Sequence, residues 1–137
     1  MSQEKNIGIA QQLLAGIGQG KDPDAIAALF SENVAFEIPG DDGALPWIGR
    51  KTGRGAVADF IRGLRRLTEP LKFAIQDVLA SEARAVIVGE LATRVKATGK
   101  VIESAFAIIL TVSGGEVTRF QMLEDSFGVS RAARVQR

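Results

Sequence analysis

Apolar side chains recur at helical spacing at the start of the chain, where Ile7, Ile9, Ala10, Leu13, Leu14 and Ile17 predict a helix from Asn6 to about Gly18. Gly18 and Gly20 stop it. Asp22 then precedes Pro23, a helix cap followed by proline in the first helical position, and Ile26, Ala27, Leu29 and Phe30 form one stripe of a short helix, Pro23 to Phe30. The period changes to two over Val34, Phe36 and Ile38, which alternate with Ala35 and Glu37 as in a half-buried strand. Pro39-Gly40-Asp41-Asp42-Gly43 turns that strand into a loop. A third helix opens at Arg54-Gly55, carries Val57, Phe60, Ile61 and Leu64 on one face, and is closed by Glu69-Pro70.

Beyond that point the pattern is of strands alone. Four are expected, over about Leu71 to Ala80, Ala85 to Lys96, Val101 to Ser113 and Glu116 to Phe127. Turns at Ser81-Glu82-Ala83, Ala97-Thr98-Gly99-Lys100 and Ser113-Gly114-Gly115 have hairpin length. With every helix in the first half and a meander in the second, the fold class is α+β. The tail from Ser130 to Arg137 is expected to fray.

A chain of 137 residues, 46% apolar and 24% charged, has the makings of one globular domain over 1–137. Seventeen basic and sixteen acidic residues leave a net charge of +1, which gives no reason to expect nucleic acid or an anionic membrane as partner. There is no cysteine, histidine or tyrosine, so disulfides, thiolate nucleophiles and imidazole bases are ruled out, and neither a metal nor another cofactor is expected. No signal peptide or spanning segment is read in the N-terminal stretch, and the expected location is the cytoplasm.

The order of elements, with Leu29-Phe30-Ser31-Glu32-Asn33-Val34-Ala35-Phe36, Gly53-Arg54-Gly55-Ala56-Val57, Ala97-Thr98-Gly99-Lys100 and Gly114-Gly115-Glu116-Val117, resembles the NTF2-like superfamily, within it the SnoaL-like polyketide cyclases and ketosteroid isomerases. The resemblance implies a cone: N-terminal helices packed on a strongly bent antiparallel or mixed sheet, around a pocket for a small molecule. It also implies where catalytic groups belong. The aspartate base of ketosteroid isomerases stands directly before the proline ending the first strand, where this chain has Ile38 before Pro39. The tyrosine and protonated aspartate that hold the enolate fall near Leu13 and Ala107. The Asp-Arg-Asp set of limonene epoxide hydrolases falls on Gly89, Leu91 and Met122. All of these are apolar, which disfavours both mechanisms. SnoaL-type cyclases carry an acid/base aspartate at the end of the last strand, and the spacing from Gly115 puts Asp125 there, without the histidine partner.

With Ala107 taken as facing the cavity, alternation adds Glu103, Ala105 and Ile109 to that side, and pairing adds Phe120, Met122 and Glu124. Leu13, Phe36, Ile38, Trp47, Phe60 and Leu91 complete an apolar binding surface. Asp125, Glu103 and Glu124 are the candidate acid/base groups, because a carboxyl held among Phe, Met and Leu should have a raised pKa. Each has a plainer reading: Glu103 as a solvated strand end, Asp125 as the ion-pair partner of Arg94 or Arg119. Glu124 and Asp125 are adjacent, so alternation admits at most one of them to the cavity. Trp47 either gates the entrance or plugs the core. Glu37 is expected on the outer face, and Asp41 and Asp42 serve the turn. The segment Gly49 to Gly55 has glycines and basic residues before a helix but lacks phosphate-loop spacing, so it is read as a turn and helix entry.

The opposite face of the penultimate strand, Ile102, Phe106, Ile108, Leu110 and Val112, is apolar nearly throughout and needs cover. A homodimer through that outer sheet face is the expected answer, with cover by the chain's own helices or tail as the alternative. The functional expectation is a SnoaL-like protein with a pocket for a small hydrophobic or polycyclic molecule, an isomerase or cyclase moving a proton if it is an enzyme. The alternative is a non-catalytic ligand-binding or dimerisation module.

Overall fold

The computed structural model describes residues 2–134. Helix α1 spans Gln3–Gly18 and α2 Pro23–Ala27; then come β1 Phe30–Ile38, β2 Gly49–Thr52, α3 Arg54–Leu67, β3 Thr68–Ala80, β4 Arg84–Val95, β5 Val101–Ser113, β6 Glu116–Leu123 and α4 Ser126–Ala133. The six strands form one curled sheet in the order β2-β1-β6-β5-β4-β3. Only β1 and β6 run parallel; the other neighbours are antiparallel, so the α+β class and the mixed sheet agree with the sequence.

The elements start where local chemistry favours them. Ser2 caps α1, its hydroxyl accepting from the Lys5 N–H at 3.1 Å. Asn6, fully buried on α1, donates through Nδ2 to the carbonyls of Ser81 and Glu82 at 2.9 and 3.0 Å, which ties the helix to the β3–β4 turn. On β3 the register shifts between Pro70 and Lys72 and again between Ile75 and Asp77. Such bulges bend a strand and increase its twist, the curvature a cone needs.

Element ends shift, since the short helix expected over Pro23 to Phe30 stops at Ala27 with Phe30 opening β1, and the last strand expected to reach Phe127 ends at Leu123; four further features depart from the expectations of sequence. The loop after β1 folds back as β2, pairing Ala35 with Thr52 through Ile38 with Gly49. Pro70 lies inside β3, which it can do because β3 is an edge strand and needs no donor there. The C-terminal segment from Ser130, expected to fray, belongs in its described part to α4, which buries Val129 and Ala132; the remainder of that expectation, 135–137, lies outside the described residues. Helix α4 is also fastened by side chains. Asp41 accepts from Ser130 Oγ and Arg134 Nε, both at 2.7 Å, while Thr98 Oγ1 donates to the Ala132 carbonyl and Lys100 Nζ to that of Arg134.

The fourth departure concerns β5. Ile102, Phe106, Ile108, Leu110 and Val112, expected on an outer face awaiting a second copy, are all buried within this chain. Ala107, Ala105 and Glu103, expected in the cavity, lie on the opposite side, exposed or half-buried. A strand apolar on both faces carries no alternation to say which face points inward, and here the helices cover the even positions.

Candidate functional site

The concave side of the sheet is filled, over much of its area, by its own aromatic rings. Phe36 and Phe120, neighbours across the parallel β1–β6 pair, stack with centroids 5.1 Å apart and planes within 6°. Phe60 from α3 meets Phe36 edge-on at 5.4 Å, and Trp47 meets Phe60 edge-on at 5.7 Å. With Leu13 and Ile38 they are buried, each ring contributing roughly 1.5–3 kcal/mol of burial and each pair about 0.5–1.5 kcal/mol more. Of the two roles open to Trp47, the plug is the one it takes.

One carboxyl stands at the border of that apolar mass. Phe120 and Met122 of β6 are buried, and Glu124 follows two residues on, half-buried. Burial pushes its pKa up to about 7, with the neighbouring charge of Asp125 adding to the rise. The β5–β6 ladder ends with Ala107 opposite Leu123, so one further step of that register sets Glu124 beside Phe106. The chain does continue alongside β5, because the Asp125 N–H donates to Ser104 Oγ at 2.8 Å. On the other flank the parallel β1–β6 pairing runs as far as Glu37 beside Gln121, three residues before Glu124.

Asp125 turns the other way. It is exposed and caps α4, its Oδ1 accepting from the Gly128 N–H at 3.0 Å. Neither expected arginine reaches it: Arg94 pairs with Glu69 at 2.9 Å and Arg119 with Glu37 at 3.5 Å. Glu103 is exposed, in a shallow hollow of about 350 Å³ between β5 and α4 lined by Lys100, Ile102, Gly128 and Arg131. Ala107 is half-buried on the outer face, paired with Val88 and Leu123. Glu37 is on that face as expected, its carboxyl held below the usual range by hydrogen bonds from Arg50 first and Gln121 second.

Beside Glu124 the structure assembles residues that the sequence pattern does not single out for a site. Phe106 lies inward on β5, opposite Gly89 of β4. A side chain at Gly89 would collide with the Ala74 carbonyl and come within 3.0 Å of Phe106 Cζ, so the glycine makes the room into which that ring extends. Reaching over Gly89, Phe106 stacks on Phe73 of β3, with centroids 5.1 Å apart and planes within 10°. Leu91, an expected binding residue, is buried beside them, paired with Phe73 and Ser104. The signal that could have found them is Gly89, an isolated glycine in an otherwise apolar strand.

The arrangement offers a carboxyl that is about half-ionised near neutrality next to an apolar floor, suited to accept or return one proton. Among the described residues no group of three or more acidic, histidine or cysteine side chains could hold a metal ion, and no helix is long and apolar enough to cross a membrane.

Comparison with solved structures gives the same architecture. An NTF2-like protein from Burkholderia xenovorans superposes with a TM-score of 0.86 at 26% identity, over 98% of this chain and 99% of the other. A protein with a ketosteroid isomerase-like fold from Catenulispora acidiphila, in complex with trimethylamine, gives 0.71 at 18% identity, covering 91% of each. A protein from Mesorhizobium loti named for its likeness to SnoaL polyketide cyclases gives 0.69 at 14%, over 85% of this chain and 96% of that one. No curated protein matches the sequence. The SnoaL-like domain model matches residues 10–120, most of the length and every strand up to β6, and the chain therefore belongs to the SnoaL-like domain family.

Proposed function

We propose that this SnoaL-like protein moves a proton on a small hydrophobic substrate, as an isomerase or cyclase would, with Glu124 as the acid/base group. The observation that carries the reading is the pKa of about 7 at Glu124, produced by burial at the edge of the aromatic mass. In that reading Glu124 removes a proton from carbon next to a carbonyl and returns it after the double bond has shifted. Asp125 helps by opposing ionisation of its neighbour and by capping α4. The base position vacated at Ile38 is thereby served from β6, the parallel neighbour of β1.

Deuterium exchange tests this without knowledge of the natural substrate. β-Tetralone, an enolisable bicyclic ketone, is incubated with the protein in heavy water near neutrality and followed by NMR. Exchange above the buffer rate, reduced on the order of 100-fold in Glu124→Gln, supports the reading. An unchanged rate in that variant removes Glu124 from the role.

The alternative, a ligand-binding or dimerisation module without catalysis, is favoured by the Phe36, Phe60, Phe120 and Trp47 cluster, which occupies space a large substrate would use. It predicts binding of the ketone with no exchange.

The homodimer also stands as a proposal, now through the true outer face. There Val86, Val88, Ala105, Ala107, Ile109 and Leu123 form a field that the chain's own helices do not cover. Such a field suits a second copy of the same sheet.

A further inference from the structure

We propose that Ser104 is a positioning residue for Glu124: its hydroxyl fastens the chain to β5 one residue past the carboxyl, so that Glu124 is held inward between two anchors. The catalytic meaning of this inference rests on the reading of Glu124 as the acid/base group, whereas the geometry that carries it does not. Backbone pairing of β6 with β5 ends at Leu123 opposite Ala107, and two further steps of that register set Asp125 opposite Ala105. The Asp125 N–H does not meet the Ala105 carbonyl directly. It donates to Ser104 Oγ at 2.8 Å, and that hydroxyl donates in turn to the Ala105 carbonyl at 2.6 Å. A side chain thus extends the ladder after the backbone has left it, and both the donor and an acceptor site of the hydroxyl are used.

Two consequences meet at Glu124. The residue is confined between the Leu123–Ala107 pair on one side and the Ser104–Asp125 bond on the other. Ser104 is half-buried and shares its side of β5 with buried Ile102 and Phe106, opposite buried Leu91 of β4, so it is on the inward face. Strand alternation across the two anchors sends Glu124 to that same face and Asp125 to the other, where its carboxyl caps α4 by accepting from the Gly128 N–H. Released from the ladder yet still tied to β5, the chain can turn into α4 directly after the carboxyl. With the hydroxyl removed, the Asp125 N–H turns to water, the segment moves more freely, and Glu124 gains solvent that favours its ionised form.

The test is a carbon-13 NMR titration of the glutamate carboxyls in the full chain, the Glu124 resonance being the one absent from Glu124→Gln. Ser104→Ala should lower the Glu124 pKa by on the order of one unit and speed hydrogen exchange of the Asp125 amide on the order of tenfold. Ser104→Thr, which keeps the hydroxyl on a residue suited to a strand, should retain both wild-type values. In the wild type itself the Asp125 amide should exchange more slowly than those of Ser126 and Phe127, which open α4 and have no partner within the helix. An unmoved Glu124 titration in Ser104→Ala overturns the proposal, even where the urea midpoint falls, since that pattern marks a merely structural serine. So does a Ser104→Thr that behaves as Ser104→Ala, or a wild-type Asp125 amide as fast as its two successors. Exchange of β-tetralone keeps the two ideas apart: its pH midpoint should fall in Ser104→Ala together with the pKa, and a midpoint that stays put overturns the positioning role. A wild-type exchange rate equal to that of buffer counts against proton transfer alone, because the titration reads Ser104 without a substrate.

Discussion

The indole of Trp47 occupies the space that a side chain at residue 63 would need. A Cβ built on Gly63 falls 3.0 Å from both Cε3 and Cζ3 of the ring, a contact tight enough that the indole would have to give by a few tenths of an ångström. A glycine in mid-helix costs roughly 1 kcal/mol relative to alanine, so α3 gives up intrinsic helix stability to let the ring lie against its backbone. The same ring meets Phe60 one turn earlier on that helix, so Gly63 and Phe60 together seat Trp47.

Gly63→Ala should therefore destabilise the protein in spite of its better helix propensity. Overpacking of this kind costs about 1–3 kcal/mol, more than the propensity gain returns. Urea denaturation followed by circular dichroism measures the difference, with a lower midpoint expected and an unchanged slope. A midpoint equal to or above wild type would mean that Trp47 shifts freely.

The raised pKa of Glu124 makes stability depend on pH in a definite direction. The folded state holds its proton up to about 7, whereas the group's ordinary value is 4.5. The contribution is fully present below that ordinary value and is lost as pH rises through about 7. A tenfold change in proton affinity between the folded and unfolded chain corresponds to about 1.4 kcal/mol, and with allowance for partial solvation the loss is of the order of 2–3 kcal/mol. Glu124→Gln should flatten the profile and be more stable than wild type at about pH 8, as read from urea midpoints at about pH 5 and pH 8. A wild-type profile without this fall would place Glu124 in free solvent.

Most of the architecture is legible in the sequence because its signals are local. Asp22-Pro23, the alternation of Val34, Phe36 and Ile38, and the glycine-bearing turns set the elements and their order. Three things are not legible there. Helix α4 depends on Asp125 capping it and on Asp41, far away in sequence, holding Ser130 and Arg134. The facing of β5 has no local signal, because both its faces are apolar and tertiary contact decides between them. The stack of Phe73 on Phe106 exists only once β3, β4 and β5 are in register, with Gly89 on the strand between them leaving room for the Phe106 ring. For the carboxyls, adjacency does carry information: it allows one of Glu124 and Asp125 inward, and the environment gives that place to Glu124.

The fastening of α4 should weaken in acid. The Arg134 guanidinium, first, and the Ser130 hydroxyl hold the Asp41 carboxyl below its ordinary value of 3.8. A depressed value means the contact's contribution is present above that value and is lost as pH falls through the lower, folded one. Asp41→Asn removes the charge at every pH. Hydrogen exchange of the α4 amides, Val129 and Ala132 among them, should be faster in this variant at neutral pH, with the β5 amides unaffected. Equal exchange in the two proteins would show that burial of Val129 and Ala132 holds the helix unaided.

The outer face gives the last prediction. Ala107 is at the middle of it, half-buried, flanked by Val88 on β4 and Leu123 on β6. A second copy packed there would bring two apolar fields together about a twofold axis, so a single substitution introduces charge on both sides of the contact. Ala107→Glu should convert a species of two chains into one in sedimentation equilibrium at micromolar concentration. Because residue 107 faces away from the core, the circular dichroism spectrum should be retained. The same substitution leaves Glu124 in place on the concave side, so deuterium exchange should persist in the single chain. Wild-type protein sedimenting as one chain would overturn the dimer, and an unfolded Ala107→Glu would show that this face is needed within the chain itself.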